Sequence, residues 1–242
     1  MRQSLAQFIE RTTTIRSVDE LFAQFDIFTG AYGVDVSSYH ITAERLHAVP
    51  IEIGLIRETF PDAWVDTYLK RHYENIDPVI AQSRREAKPF HWFDVGKKIA
   101  LTPAQEHFLE ELQAAGLSDG LAVPVFGPMG TIAYFGLGAC GGELDLSEAE
   151  IIELQCACHQ VHNRYLEVSG HNKVDPNIRL SGREKQVLSL IATGLSNNHV
   201  ASRLSISENT VDTIVRRTFA KLGVNNRITA VLRGIGCGLI LP

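Results

Sequence analysis

Small polar residues and two adjacent arginines recur along one side of the segment SISENTVDTIVRRTFAKLG, residues 205–223. At helical spacing, Val211, Val215 and Leu222 form the opposite, apolar side, which is expected to pack inward. Small hydrogen-bonding groups near the start of an exposed helix, with arginines one turn later, match the base edges and phosphates of DNA. The predicted outer side holds Asn209, Asp212, Thr213 and Arg216.

The elements around this segment predict a helix-turn-helix. Ser181 and Glu184 have the spacing of a capping box, and Gly194 marks the end of the helix that they begin. A short helix, a turn capped by Ser207, a longer helix that ends at Gly223 and a fourth helix follow. In this layout the second helix of the pair enters the major groove.

The charge of the chain is distributed unevenly. The 242 residues carry a formal net charge of -5, but residues 179–242 hold nine Lys and Arg against three Asp and Glu, a local balance of +6. A charged helix face alone is usually a solvated face on a small bundle. The local positive charge, the helix lengths and the cap residues together favour DNA binding over that alternative.

Residues 180–242 resemble the DNA-binding domain of the LuxR family. The matching positions are Leu180, Arg183, Glu184, Val187, Leu188, Gly194, the run Ser-Glu-x-Thr-Val at 207–211, Lys221, Leu222, Gly223, Asn226 and Arg227. The resemblance implies a homodimer that places the helix beginning near Glu208 in the major groove of a double-stranded operator. We expect DNA contacts from Asn197, Asn198, Ser207, Asn209, Thr210, Asp212, Thr213, Arg216, Arg217 and Lys221.

Two positions depart from that family's pattern. A basic residue is frequent where Asp212 stands, and a histidine where Ile214 stands. A carboxylate repels phosphate but can accept a hydrogen bond from cytosine N4. We therefore predict a non-standard recognition sequence, a hypothesis that fails if Asp212→Arg leaves operator preference unchanged.

A second candidate site lies in residues 60–93. Trp64 and Tyr68 are one helical turn apart, and Asp77 precedes Pro78, which favours an extended or turn conformation at Asp77. A carboxylate among apolar and aromatic groups needs a hydrogen-bond donor, and the amide N–H of a ligand would suffice. Taken singly, the aromatic residues fit core packing and Asp77 fits a turn cap.

Taken together, these residues resemble the acyl-homoserine-lactone-binding domain of the same family. The resemblance rests on the order W-x3-Y-x8-D-P, on Trp92 and on Gly120. It implies that Trp64 donates its indole N–H to the lactone carbonyl, that Asp77 accepts the amide N–H, and that Tyr68 and Trp92 enclose the acyl chain and the ring. The implied fold class is α+β: an N-terminal α/β/α sandwich around an antiparallel sheet, and a C-terminal all-α domain of four helices.

The family pattern breaks where the acyl carbonyl should be held. Phe60 stands where many members have tyrosine, and Gly136 where some have a hydroxyl residue. Either the carbonyl bonds to Tyr68 or to a water, or the acyl group is unusual. Because Phe60, Ala122 and Gly136 would widen the pocket, we expect a branched or aromatic acyl group. The expected ligand-binding residues are Phe60, Trp64, Tyr68, Asp77, Val79, Trp92, Ala122 and Gly136.

The chain divides into two predicted domains, residues 1–168 and 179–242, joined by a linker over 169–178. In the first domain we expect helices at 3–13, 17–31 and 61–73 and extended runs at 34–41 and 47–53. A hairpin with a Pro-Met-Gly turn should follow at 121–138, and then a helix of about twenty residues from Ser147.

A rival hypothesis is a metal- or thiol-sensing regulator built on Cys156, Cys158, His159 and His162. The two histidines are spaced i, i+3, but Cys156 lies on a different side of the helix from Cys158, so packing is favoured. With no nucleophile elbow or phosphate loop, no enzyme is expected, and neither is a metal or cofactor. Because the chain lacks CxxC pairs and a long apolar span, we expect a cytoplasmic protein. We also expect RNA polymerase as a partner.

Overall fold

The computed structural model describes residues 3–43, 54–127, 131–170 and 178–241. These residues form two compact units, one ending at residue 170 and the other beginning at residue 178. The extended run predicted at 47–53, the Pro-Met-Gly turn at 128–130 and most of the predicted linker lie outside the described residues.

The N-terminal unit combines seven α-helices and five strands among its described residues. The helices are α1 (Leu5–Thr14), α2 (Val18–Gly30), α3 (Asp62–Lys70), α4 (Pro78–Ser83), α5 (Val95–Lys98), α6 (Pro103–Ala114) and α7 (Glu148–Val168). The strands are β1 (Val36–Ala43), β2 (Gly54–Glu58), β3 (Phe90–His91), β4 (Asp119–Phe126) and β5 (Ile132–Ala139). Single 3-10 turns span Tyr73–Asn75 and Trp92–Asp94.

The strands form one sheet in the order β2-β1-β5-β4-β3, and every neighbouring pair is antiparallel. The pairing of Phe126 with Ile132 confirms the hairpin predicted for β4 and β5. Helices α1, α2 and α7 cover one face of the sheet, where Phe25 packs on Phe135. On the other face, α3, α4 and α6 pack against β4 and β5 in a second core. The predicted α/β/α sandwich is confirmed.

Local sequence signals account for several helix ends. Ser147 and Glu150 form the predicted capping box, and α7 runs for 21 residues. Helix α3 ends earlier than predicted, because His72 adopts a left-handed backbone conformation with φ of 53°. Helix α6 was not predicted, although Thr102 and Gln105 form a complete capping box in front of it.

The C-terminal unit is the predicted set of four helices. They are α8 (Gly182–Ala192), α9 (Asn197–Leu204), α10 (Glu208–Leu222) and α11 (Arg227–Gly236). Ser181 and Glu184 form a capping box, and Gly223 ends α10 in the left-handed region at φ of 62°, which glycine adopts without strain. Val187, Ile191, Val200 and Val211 pack where α8, α9 and α10 meet. In the described part of the chain, no helix is long and apolar enough to cross a membrane.

Candidate functional site

A cavity opens on the face of the sheet that α3, α4 and α6 cover, and it contains about 530 Å³ of empty space when the part open to solvent is included. Its lining residues are Ser38, His40, Leu55, Glu58, Phe60, Trp64, Val65, Tyr68, Asp77, Val79, Trp92, Phe108, Leu112, Tyr134 and Gly136. The wall is largely aromatic and aliphatic, with a few polar groups among the rings.

Seven of the eight residues predicted to bind a ligand line this cavity, and Ala122 does not. The prediction for Ala122 was wrong because this residue has no accessible surface, in the cavity or elsewhere. It lies in the core between Phe90 and Gly136, its partners on the two neighbouring strands. It therefore cannot widen the cavity.

The carboxylate of Asp77 is the turn cap that the sequence offered as one alternative, and it also lies in the lining of the cavity. As the N-cap of α4, its Oδ1 accepts the backbone N–H groups of Val79 at 2.7 Å and Ile80 at 3.3 Å. Its Oδ2 accepts the hydroxyl of Tyr68 at 3.1 Å. A carboxylate can accept about four hydrogen bonds, so Asp77 retains capacity to accept one from a ligand in the cavity.

Burial raises the pKa of Asp77 to about 6, even though its three hydrogen bonds act to lower it. Desolvation penalises the ionised form of a carboxyl group, whereas hydrogen bonds to that form favour it. Asp77 is therefore mostly ionised at pH 7, which lies only about one pH unit above its pKa.

Affinity for a ligand that donates an N–H group to Asp77 should fall below pH 6, by about tenfold at pH 5, and stay level above pH 7. The protonated carboxyl loses acceptor capacity, so such a ligand must displace a proton to bind. The contribution of Asp77 to the stability of the ligand-free domain has the opposite sign: because its folded pKa is raised, that stability rises as the pH falls from about 6 to 4. Isothermal titration calorimetry across this range tests the affinity, and differential scanning calorimetry of the protein without added lactone tests the stability.

Trp64 and Tyr68 lie in an aromatic cluster that fixes their orientation. The Trp64 ring is 6.2 Å from Tyr68 and 5.9 Å from Phe108, measured between ring centroids. Only 5% of Trp64 is exposed, and within the described residues no acceptor meets its indole N–H, although the residue lines the cavity. A donor held this way is available to an acceptor atom on a ligand.

Trp92 lies flat against glycines of the sheet. A Cβ atom built on Gly120 would lie 2.4 Å from the Trp92 ring, and one on Gly138 would lie 2.7 Å from it. Since real Cβ contacts are not this short, any side chain at position 120 would displace the indole. This contact explains why glycine stands at position 120, a position that the sequence marked only by resemblance.

The space beside Gly136 is also filled, which makes the prediction of extra width there wrong. A Cβ atom on Gly136 would lie 2.7 Å from Oγ of Ser38 and 3.3 Å from Cζ2 of Trp92. Glycine at this position therefore makes room for neighbouring side chains rather than for a ligand.

Sequence reasoning missed the polar residues that the sheet contributes. Ser38, His40 and Tyr134 line the cavity, and the rings of His40 and Tyr134 stack at 4.8 Å. Burial lowers the pKa of His40 to about 4, so this imidazole is neutral at pH 7. The alternation within the predicted strand at 34–41 could have placed Ser38 and His40 on one face, but not opposite Tyr134.

On the C-terminal unit, the outer side of α10 carries Asn209, Arg216 and Arg217, all of them exposed. Thr213 is half-buried, and its hydroxyl donates to the carbonyl of Asn209 at 2.9 Å. Ser207 accepts the N–H of Thr210 as the N-cap of α10, at 3.1 Å. The side chains of α10 that are exposed and available to DNA are therefore Asn209 in its first turn and Arg216 and Arg217 in its middle.

Other residues predicted to contact DNA are engaged within the unit. The amide of Asn197 donates to Oδ1 of Asp212 at 2.6 Å, and Arg227 donates to Oδ1 of Asn197 at 2.7 Å, which joins α9, α10 and α11. Lys221 forms a salt bridge with Glu184 of α8 at 2.7 Å. Asn198 donates to Glu208 at 3.4 Å. Sequence reasoning missed these ties, and contacts of Asp212 and Lys221 with DNA stay predictions.

The cysteines and histidines of α7 are dispersed. Cys158 and His162 are buried, Cys156 is exposed, and Nδ1 of His162 shares a 2.7 Å hydrogen bond with the hydroxyl of Tyr39. Among the described residues, no group of three or more His, Cys, Asp or Glu is placed to hold a metal ion.

Two family models match the chain. One, described as autoinducer binding domain, matches residues 17–165, and the other, described as bacterial regulatory proteins, luxR family, matches residues 179–233. The HTH-type transcriptional regulator y4qH of Sinorhizobium fredii is 29% identical over 98% of this chain and 73% of its own length. The transcriptional activator protein AnoR of Acinetobacter nosocomialis is 26% identical over 93% and 94% of the two chains. The crystal structure of Escherichia coli SdiA matches with a TM-score of 0.74 at 21% identity, over 98% of each chain.

Proposed function

Since this chain belongs to the LuxR family of quorum-sensing transcriptional regulators with an autoinducer-binding domain, we propose that its cavity binds an acyl-homoserine lactone and that it binds a two-fold operator as a dimer. The members of this family are transcriptional regulators, not enzymes. The proposed domain limits are 1–168 and 179–242, with the linker between them.

The observation that carries the ligand proposal is the pairing of opposite hydrogen-bonding groups in one aromatic cavity. Asp77 offers a buried acceptor and Trp64 an unused donor. An acyl-homoserine lactone has an amide N–H for the first and a ring carbonyl for the second, and Tyr68 and Trp92 enclose the remainder. A branched or aromatic acyl group suits a wall built of rings, although the widening expected from Ala122 and Gly136 no longer supports it.

The exposed side of α10 carries the DNA proposal. Asn209 suits adenine or another base edge, and Arg216 and Arg217 suit guanine and phosphates. Ile152, Cys156 and Asn163 form an exposed stripe on α7 that we assign to the dimer contact. Ligand binding then favours the ordered dimer, which presents two recognition helices at half-site spacing. The dimer bound to its operator would then contact RNA polymerase.

The ligand proposal is tested by retention. The protein is expressed in a host that makes no lactones and supplied with hexanoyl-, 3-oxododecanoyl-, 3-methylbutanoyl- and phenylpropanoyl-homoserine lactone. We expect mass spectrometry of the denatured pure protein to find the branched or the aromatic lactone, and the Trp64→Phe variant to retain far less of it. Folded protein that retains no lactone contradicts the proposal and points to a different small molecule. Preference for the 3-oxododecanoyl compound contradicts only the acyl group.

A further inference from the structure

Two hydroxyl groups stand side by side on the sheet wall of the cavity. Ser38 on β1 is the register partner of Gly136 on β5, and Tyr134 precedes Gly136 by two residues, so both side chains point to the same face. The two hydroxyls are close neighbours in the wall of the cavity. Both residues line the cavity, and they are 3% and 4% exposed.

The hydroxyl of Ser38 occupies the place of a side chain at position 136. A Cβ atom on Gly136 would lie 2.7 Å from Oγ of Ser38 and 3.8 Å from the Tyr134 ring. A side chain at position 136 would therefore push the Ser38 hydroxyl out of the position that it has here. The polar group that Gly136 lacks is present in the cavity, but it comes from the neighbouring strand.

The hydroxyl pair has one proton to spare. Each hydroxyl carries one O–H donor, and even a hydrogen bond between the two would use only one of them. Burial, followed by the charge of Asp77, raises the pKa of Tyr134 well above its ordinary value, so the phenol keeps its proton at neutral pH. The second O–H group is available to a ligand. Tyr68 is less suited to this task because its hydroxyl already donates to Asp77.

A lactone bound as proposed above needs a donor of this kind. The amide N–H and the acyl carbonyl of a trans amide point in opposite directions. When the N–H points to Asp77, the carbonyl points away from it, and a buried carbonyl without a donor weakens binding. Phe60 has no hydroxyl to offer.

Resting on the proposed function, we propose that the Ser38–Tyr134 hydroxyl pair donates the hydrogen bond to the acyl carbonyl of the ligand, in place of the hydroxyls absent at Phe60 and Gly136. The hydroxyl group then comes from β1 and from position 134 of β5 rather than from position 136. The pair also gives selectivity, because an amine analogue that lacks the acyl carbonyl leaves the available O–H group of the pair without an acceptor.

The test is a set of variants titrated with 3-methylbutanoyl- and phenylpropanoyl-homoserine lactone, each labelled with carbon-13 at the acyl carbonyl. Relative to wild type, S38A/Y134F should weaken binding by about tenfold or more, because both donors are lost. G136S alone should also weaken it, because the new side chain meets Ser38. S38A/G136S should bind within about threefold of wild type, since the hydroxyl returns on the other strand.

Infrared difference spectra report the frequency of the ligand carbonyl, which changes only if these residues form a hydrogen bond with it and not if their role is structural. The labelled carbonyl of the bound ligand should absorb at higher frequency in S38A/Y134F than in wild type and return in S38A/G136S. Unchanged affinity and frequency in S38A/Y134F overturn the proposal, as does G136S that binds like wild type. A wild-type protein that binds neither these lactones nor a straight-chain one shows instead that the proposed function itself is wrong.

Discussion

Asp77→Asn should reduce lactone affinity by about 100-fold, roughly 3 kcal/mol, while the domain remains folded. Asparagine is nearly the same shape, and its amide oxygen can still accept the N–H groups of Val79 and Ile80 that Oδ1 of Asp77 accepts. Its NH2 group would face the Tyr68 hydroxyl and the ligand N–H, both of which are donors. The substitution therefore replaces an acceptor by a donor at the point of contact.

Asp119→Asn is the matched control for this experiment. Asp119 is also a carboxylate that accepts a backbone N–H, from Leu144 at 2.8 Å, but it does not line the cavity. Its replacement should leave lactone affinity within about twofold. Calorimetry gives the affinities and circular dichroism the unfolding temperatures. Asp77→Asn with affinity within threefold of wild type would falsify the assignment of Asp77 to the ligand amide.

Replacing Arg216 and Arg217 together by alanine should lower affinity for the operator by about 100-fold without lowering the unfolding temperature. Both side chains are exposed on α10, so the fold loses little packing when they are truncated. On DNA, each is proposed to supply a base or phosphate contact of roughly 1–3 kcal/mol. The dependence of affinity on salt should also become shallower, because fewer counterions are released.

The operator for this measurement is first selected from randomised duplexes with wild-type protein and its ligand, and affinity is then measured by fluorescence anisotropy. Lys185→Ala removes a positive charge from the same unit at an exposed position of α8 and serves as the control. We expect it to change affinity by less than threefold. A double arginine variant that still binds the selected duplex like wild type would show that another surface reads DNA.

The sequence predicted what depends on near neighbours along the chain. Capping boxes at Ser147 and Ser181 located the starts of α7 and α8, because the cap and its partner are three residues apart. Asp77 and Trp64 were recognised by a pattern that spans a single segment. Helix α6 could have been predicted in the same way from Thr102 and Gln105.

What the sequence did not yield depends on register and on tertiary partners. Ser38 meets Gly136 across about a hundred residues of chain, and no local pattern specifies that pairing. Ala122 was assigned to the pocket because its strand was recognised but its neighbours were not. The bridge of Asn197 and Asp212 joins two helices, so residues that read as an outer face proved to be partly internal.

The antiparallel register of β1 and β5 separates two kinds of sequence change. Ser38, His40, Tyr134 and Gly136 stand at even-numbered positions and face the cavity, whereas Tyr39 and Phe135 stand at odd-numbered positions and face α2 and α7. Substitution at an even position can therefore alter what the cavity accepts while the helical layer behind the sheet keeps its packing. The sheet separates changes in ligand preference from changes in the packing of α1, α2 and α7, so this domain can acquire new specificities through changes at a few alternate positions without altering that helical layer.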